Sequence, residues 1–471
     1  MGRTAELGLR ALHDEIALDD LPVSGELPGW LTGSLLRTGP AVWEIGGDRL
    51  RHWFDGLAML HRFAFSDGRV SYANKFLDSE AYRAARHKGR LTSREFATDP
   101  CRSIFQRVQS LFSTTATTDN GNVNIGVLGD RFLAMTESAL PVEFDRRTLK
   151  AAGVAYQAPG QLSTAHPHRD RATGAMLNYA AKLGAKSSYR FFRVDAETAR
   201  PEVVASIPVR EPAYMHSFGL TEHWFVLAEF PLVVNPAGLA LSGRPFIENY
   251  RWKPERGTRI TLIDRETGKV GGTFAADPLF AFHHVNSHED GDEVVVDVCA
   301  FDDAQVIKDL YLDRLHGLMR DSAGADALQA AHLTRFRLSP GDSSVITERL
   351  SEEPLEFPRI NTGRCQERPY RYVWGNGQGS GWFDRILKVD IADGTAIAWS
   401  EPDCFPAEPV FVPHPEGVEE DEGVLLSIVL DAKRETSYLL VLDAATLEQI
   451  ARAEVPHHIP HHFHGGFTSK S

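Results

Sequence analysis

HRFAFSDGRVSYANKF, residues 61–76, alternates apolar and polar side chains on both flanks of Asp67-Gly68. A period of two puts every second side chain on one face of a strand, and Asp-Gly supplies the backbone freedom that a tight hairpin turn needs. The sequence predicts two antiparallel strands joined at that dipeptide. Comparable pairs recur in RITLIDRETGKVGGTF (259–274), EDGDEVVVDVCAF (289–301), ILKVDIADGTAIAWS (386–400) and YLLVLDAATLEQIARAEV (438–455). No regular alternation of strand and helix accompanies them, so the chain reads as all-β. Hairpins scattered over nearly the whole length suit a β-propeller, in which similar sheets repeat around an axis, better than a two-sheet sandwich. No clean repeat motif is apparent, so the number of blades does not follow from the pattern.

Two segments break the β rhythm. Residues 304–332 place Ile307, Leu310, Tyr311, Leu315 and Leu318 at helical spacing, which predicts a helical insertion. Residues 231–252, PLVVNPAGLALSGRPFIENYRW, fit neither period. One reading is a loop packed over the core. The other is an exposed apolar lip, with Leu232 and Leu239 as the residues that would touch a membrane surface.

Composition narrows the function classes. The 471-residue chain has a formal charge of −14 and no long basic run, which argues against a nucleic-acid partner. Its four cysteines include no CxxC pair, so neither a disulfide framework nor a thiolate zinc site is indicated. The first residues lack the apolar core of a signal peptide, and no stretch approaches the ~20 apolar residues that span a bilayer. The expectation is one domain over residues 1–471 in the cytoplasm.

Four histidines stand in short apolar, aromatic or Gly/Pro-rich stretches: His166 in TAHPH, His216 in YMHSFGLT, His283 in FAFHHVN and His464 in HHFHGGF. Successive members are 50, 67 and 181 positions apart, too far for a local metal knuckle. If they converge, a closed fold must bring the chain ends together, and an all-imidazole pocket suits iron, zinc or copper, not magnesium or calcium. Neighbours compete for the role. His168 lies beside His166, and His284 would face away from His283 on a strand. The run HHIPHHFH (457–464) holds five histidines and resembles a purification tag, although native-looking ARAEV and FHGG flank it.

Glu137 in FLAMTESAL, Glu356 in PLEFPRIN and Glu408 in FPAEPVF also sit in apolar surroundings. A buried carboxylate needs a partner. A metal-bound imidazole needs an acceptor for its second ring N–H, and three carboxylates would offset a divalent charge left by neutral ligands. The rival reading pairs each Glu with a turn or a nearby arginine, such as Arg359 for Glu356.

LPGWLTGSLLRTGPAVWE, HWFDGLAMLHRFAF, TAHPH, YMHSFGLT, FHHVN, EPDCFPAEPVFVPHP and FHGGF together resemble the carotenoid cleavage oxygenases, in the family's order, from Leu27 to Phe467. The resemblance implies a seven-bladed β-propeller with helical and loop insertions forming a cap over the metal axis. It implies iron(II), Fe(2+), held by His166, His216, His283 and His464. Glu137 would orient His216, Glu356 would orient His283 and Glu408 would orient His464, with no such glutamate for His166. The implied reaction adds dioxygen across one carbon–carbon double bond of a hydrophobic polyene and releases two carbonyl products. Phe96, Trp53 and Thr136 are the expected tunnel residues. Relatives that cut stilbenes carry a lysine directly before the first of these glutamates, where Thr136 stands here. DPCRSIFQRVQSLF (99–112) looks like the matching stretch of animal carotene oxygenases and the retinoid isomerohydrolase. A carotenoid or apocarotenoid is therefore expected, with stilbenoid cleavage and oxygen-independent retinyl-ester isomerohydrolysis as alternatives. Cys101, Phe105 and Phe112 form a second expected membrane patch.

Overall fold

The computed structural model describes residues 5–99, 118–320, 328–379 and 381–470. Each hairpin expected above is present, and the strands assemble into seven antiparallel blades. The first blade contains Gly33–Val42, Leu57–Ser66 and Arg69–Phe76, and Asp67-Gly68 closes its hairpin. The second is built on Asn124–Leu128 and Arg131–Met135, the third on Met176–Lys182 and Ser187–Val194, and the fourth on Trp224–Glu229 and Thr258–Asp264. The fifth and sixth share one long strand, Ser344–Arg359. Its first part pairs with His332–Ser339, and from Leu355 onward it pairs with Tyr372–Gln378. The seventh blade centres on Gly423–Asp431 and Thr436–Asp443.

Both ends of the chain are stitched into blades. C-terminal Gly465–Thr468 pairs with Gly33–Val42 in the first blade, and Val23–Gly25 pairs with Gln449–Val455 in the seventh. Closure therefore rests on two seams, each pairing residues more than 420 positions apart. The N-terminal stretch adds a third tie: His461 N donates to Gly8 O at 2.8 Å, and His461 Nε2 contacts Ala5 O at 2.8 Å.

The structure also contains the repeat that the sequence reading lacks. Asp145, Asp195, Asp264, Asp390 and Asp443 each open the turn between the last two strands of a blade. In four of them Asp Oδ1 accepts from the backbone N–H groups two and three residues on and from the threonine hydroxyl, as at Asp264 with Glu266 N (3.0 Å), Thr267 N (2.6 Å) and Thr267 Oγ1 (2.9 Å). The next residue is left-handed: Leu149, Ala199, Gly268, Gly394 and Leu447 have φ between 54° and 75°. Aspartate suits such turns because its side chain bonds its own backbone. Only two of the five use glycine, which hides the motif.

The helical insertion is two helices, Gln305–Asp309 and Leu312–Arg320, broken at Leu310 and Tyr311. Their junction is pinned to residues 51–56, RHWFDG, with Trp53 N donating to Leu310 O (3.1 Å) and Leu312 N to Arg51 O (2.9 Å). Residues 231–252 fold into a small sheet, Leu232–Val234 against Tyr250–Trp252, and a short helix, Pro236–Leu241. Leu232 is 6% exposed and packs in the main core, which corrects the expectation that it is a membrane-facing lip residue; its strand partner and the core cover it. Leu239 is half-buried against the same core. Cys101, Phe105 and Phe112 lie outside the described residues, as does most of the 99–112 stretch. Among the described residues, no helix is long and apolar enough to cross a membrane.

Candidate metal centre

His166, His216, His283 and His464 come together, each with one candidate ligand atom, all within 4.8 Å of one another. Each comes from the edge strand of a different blade or the turn beside it: the third, fourth, fifth and first. His283 lies where strand Phe280–Asp290 loses register between Ala281 and Asn286. That bulge sends His283 to the centre, while the His284 ring contacts Ser217 Oγ at 2.8 Å. His168 is engaged elsewhere, with Nε2 2.9 Å from Phe218 O. In the 457–464 run only His464 reaches the cluster, and His458, His461 and His462 are buried, which excludes the tag reading.

Each of the three glutamates takes one imidazole. His216 Nδ1 lies 2.6 Å from Glu137 Oε1, His283 Nδ1 2.5 Å from Glu356 Oε2, and His464 Nδ1 2.7 Å from Glu408 Oε1. Among these contacts none involves His166. Burial holds His166, His216 and His464 below the ordinary histidine range, His464 at about 3, so these rings are neutral. A neutral ring that donates from Nδ1 to a carboxylate presents only a lone pair at Nε2. His283 Nε2 and His464 Nε2 face each other at 3.1 Å, and His166 Nε2 and His216 Nε2 at 3.0 Å. The Nδ1 atoms of His283 and His464 both face carboxylates, so their two Nε2 lone pairs point at each other, and a cation between them would relieve the repulsion. Two nitrogens at a right angle, each ~2.1 Å from one ion, stand ~3.0 Å apart. The donor set fits a borderline divalent metal.

Glu408 is the most heavily braced of the three. Arg359 donates to both its oxygens (Nε to Oε1 2.8 Å, Nη2 to Oε2 2.9 Å), and Arg37 Nη1 donates to Oε2 at 3.0 Å. Burial opposes its ionisation, but Arg359, His464 and Arg37 together outweigh it and hold the carboxyl well below the usual range. Arg37, itself fully buried, is drawn down by that burial to about 10 and stays charged. Arg37 also donates to Phe463 O, and Arg359 to Gly465 O, so the two guanidinium groups grip the peptides on either side of His464. Arg359 thus serves Glu408, not Glu356. Glu356 instead receives the N–H of Phe357 at 2.5 Å, a contact made possible by the left-handed backbone of Phe357 (φ 53°). Tyr214 donates its hydroxyl to Glu137 Oε1 at 2.7 Å.

An apolar cavity opens against His216, His283 and His464 and is lined by Trp53, Phe54, Phe282, Phe301, Phe357 and Phe463, among others. Trp53 therefore borders it as expected. Phe96 stands one layer back, packed on Phe54 (5.2 Å) and Tyr214 (5.8 Å). Thr136 is half-buried beside Glu137 and is not among the residues lining this cavity. Arg37, Tyr214 and Phe357 escape the sequence reading. All three sit in stretches quoted above, LLRTGP, YMHSF and PLEFPRIN, where an arginine in an apolar run, a tyrosine two residues from a histidine and a phenylalanine next to Glu356 were the available signals.

The family model described as retinal pigment epithelial membrane protein matches residues 9–469. The mitochondrial carotenoid-cleaving dioxygenase of Macaca fascicularis is 35% identical, over 94% of this chain and 91% of its own length. The beta,beta-carotene 15,15'-dioxygenase of Rattus norvegicus is 34% identical, over 94% of this chain and 88% of its own. Among solved structures, a mutant of Synechocystis apocarotenoid oxygenase superposes with a TM-score of 0.86 at 27% identity, covering 98% of both chains. A cobalt-substituted form of that oxygenase gives 0.84 at 28% identity, with the same coverage.

Proposed function

The chain belongs to the carotenoid cleavage oxygenase family, and from that premise we propose that it is an iron(II) dioxygenase that cleaves one double bond of a carotenoid or apocarotenoid. The observation that supports this most is the meeting of four imidazole Nε2 atoms, with three of the rings lining an apolar, aromatic-walled cavity. His166, His216, His283 and His464 would hold the ion. Bound there, ferrous iron would supply dioxygen activation, so that both oxygen atoms end in two carbonyl products.

The chain's own residues do the rest. Glu137, Glu356 and Glu408 fix the tautomer and tilt of three rings and offset the metal's charge. The polyene carries no acid or base near the scissile bond, so its seat between Trp53, Phe54 and Phe463 selects which bond faces the histidines. The aromatic wall also keeps bulk water from the reacting carbons. Leu239, on the short helix Pro236–Leu241, is the remaining candidate for contact with a membrane that stores such substrates.

Iron-loaded protein incubated with β-carotene, an apocarotenal and resveratrol, with products identified by mass spectrometry, tests the proposal. Two carbonyl products from a polyene, with uptake of one dioxygen per bond cut, are expected. Cleavage of resveratrol alone rejects it, and product formation without oxygen uptake points to isomerohydrolysis.

A further inference from the structure

The turn that carries Trp53 and Phe54 into the cavity wall is capped by His52, which is fully buried. Its two ring nitrogens have different partners. Nδ1 accepts the backbone N–H of Phe54 at 3.1 Å and so caps the short helical turn Trp53–Asp55. That contact puts the ring proton on Nε2, which donates to Ile307 O at 3.0 Å. Burial pulls the ring down to about 3, so it is neutral and serves both partners at once. Phe54 (4.9 Å), Phe96 (4.8 Å) and Tyr311 (5.1 Å) pack around the imidazole and hold it in place.

The acceptor at Ile307 exists because the helix Gln305–Asp309 is broken. In a continuing helix Tyr311 N would close onto Ile307 O, four residues back. Here Tyr311 N donates to Lys308 O instead (3.3 Å), and Leu310 N to Val306 O (3.1 Å). Ile307 O is one of the carbonyls that a helix end leaves over, and His52 takes it. The next residue of the turn adds a second tie, from Trp53 N to Leu310 O. The helix is a thin partition. Val306 and Leu310 line the cavity beside the histidines, whereas Ile307, Lys308 and Tyr311 line a separate cleft. One imidazole therefore sets the spacing between two walls of the cavity, the Trp53–Phe54 turn and the Val306–Leu310 stretch.

We propose that His52 is a positioning residue for the cleavage reaction: by tying these two walls it holds the polyene with one double bond, and not its neighbours, against the metal-site histidines. The proposal rests on the polyene-cleaving reading of the site and deepens it. Neighbouring double bonds of a conjugated chain are chemically alike, so placement alone distinguishes them.

His52→Asn separates the two bonds of the ring. Asparagine is a favoured helix cap and keeps the bond to Phe54 N, but it lacks the far edge of the imidazole that reaches Ile307 O. His52→Gln restores a donor of greater reach. Hydrogen exchange followed by mass spectrometry, without substrate, reads the tie: peptides covering residues 304–312 should exchange about fivefold faster in His52→Asn and return toward the wild-type rate in His52→Gln. Products from an apocarotenal, at matched iron content, read the consequence. Wild type should give one pair of carbonyl products. His52→Asn should add pairs from neighbouring bonds, with kcat lowered about tenfold or more and KM changed far less, and His52→Gln should return to the single pair. Unchanged exchange in His52→Asn would overturn the tie, and faster exchange with one unaltered product pair would overturn the positioning role. Should His52→Asn fail to fold, extra product pairs from His52→Gln at the wild-type exchange rate would overturn it equally. No cleavage by the wild type, with faster exchange in His52→Asn, would reject the polyene-cleaving reading alone.

Discussion

Arg37, Arg359 and His464 converge on the carboxylate of Glu408, which is 2% exposed. Removing one partner from a buried ionic group leaves uncompensated charge, at ~3–5 kcal/mol. Arg37→Met should therefore lower thermal stability by about that amount. It should also weaken iron binding ~10–100-fold, the usual effect of losing a group that orients a ligand. Arg37→Lys should rescue little, because one ammonium cannot serve Glu408 and Phe463 O in the same fork. Melting curves with iron titrations check this, and unchanged iron affinity in Arg37→Met would separate the arginine from the metal site.

Glu95, elsewhere in the first blade's surroundings, is a different case. It is 5% exposed, its Oε1 accepts from Ser93 Oγ at 2.7 Å, and burial raises its carboxyl from 4.5 to about 8. A raised folded-state value means that the protonated form is the stable one. Its contribution is complete below pH ~4.5 and is lost as pH rises toward 8, on the order of a few kcal/mol. Glu95→Gln should flatten the fall in melting temperature between pH 6 and pH 8. A wild-type slope in that variant would refute the assignment.

At the scale of the elements, the aspartate turns explain both what the sequence discloses and what it conceals. Asp67-Gly68 and Asp393-Gly394 were readable because glycine marks a left-handed turn residue. Leu149, Ala199 and Leu447 occupy the same position with side chains, so the period of the propeller does not surface as a motif. Space decides which residue is tolerated. A Cβ on Gly268 would stand 2.3 Å from Val204 O of the neighbouring blade, whereas one on Gly174, also left-handed, would meet nothing nearer than Arg169 at 3.6 Å. Gly174→Ala should thus cost only the left-handed strain, ~1–2 kcal/mol, and Gly268→Ala clearly more. Chemical denaturation of the two variants measures the difference, and equal losses would mean that blade packing does not restrict the turn. The apolar 231–252 segment misled for a related reason. Composition alone cannot distinguish a strand covered by a partner, as Leu232 is, from one left open.

For the molecule as a whole, the metal site and the closure of the ring share residues. His464 directly precedes the strand that seals the first blade, and the arginines that brace Glu408 also hold the peptides flanking it. Binding an ion should therefore stabilise the ring, by ~2.7 kcal/mol at a hundredfold excess over Kd. A chelator should reverse the gain, and a melting temperature indifferent to iron would contradict this coupling. The convergence was legible through the family resemblance, because four histidines in glycine-, proline- or aromatic-rich stretches spread over 298 positions (464 − 166) left it conditional by themselves. The sequence could not expose the arginine partners of Glu408, since Arg37 lies 371 positions away and only the closed ring joins them.

X-ray absorption at the iron edge on reconstituted protein reaches the centre of this account most directly. One iron per chain with four imidazole nitrogens at ~2.1 Å is the result expected from His166, His216, His283 and His464. Fewer than four imidazoles around the bound iron, or a spectrum unchanged by His283→Ala, would contradict it.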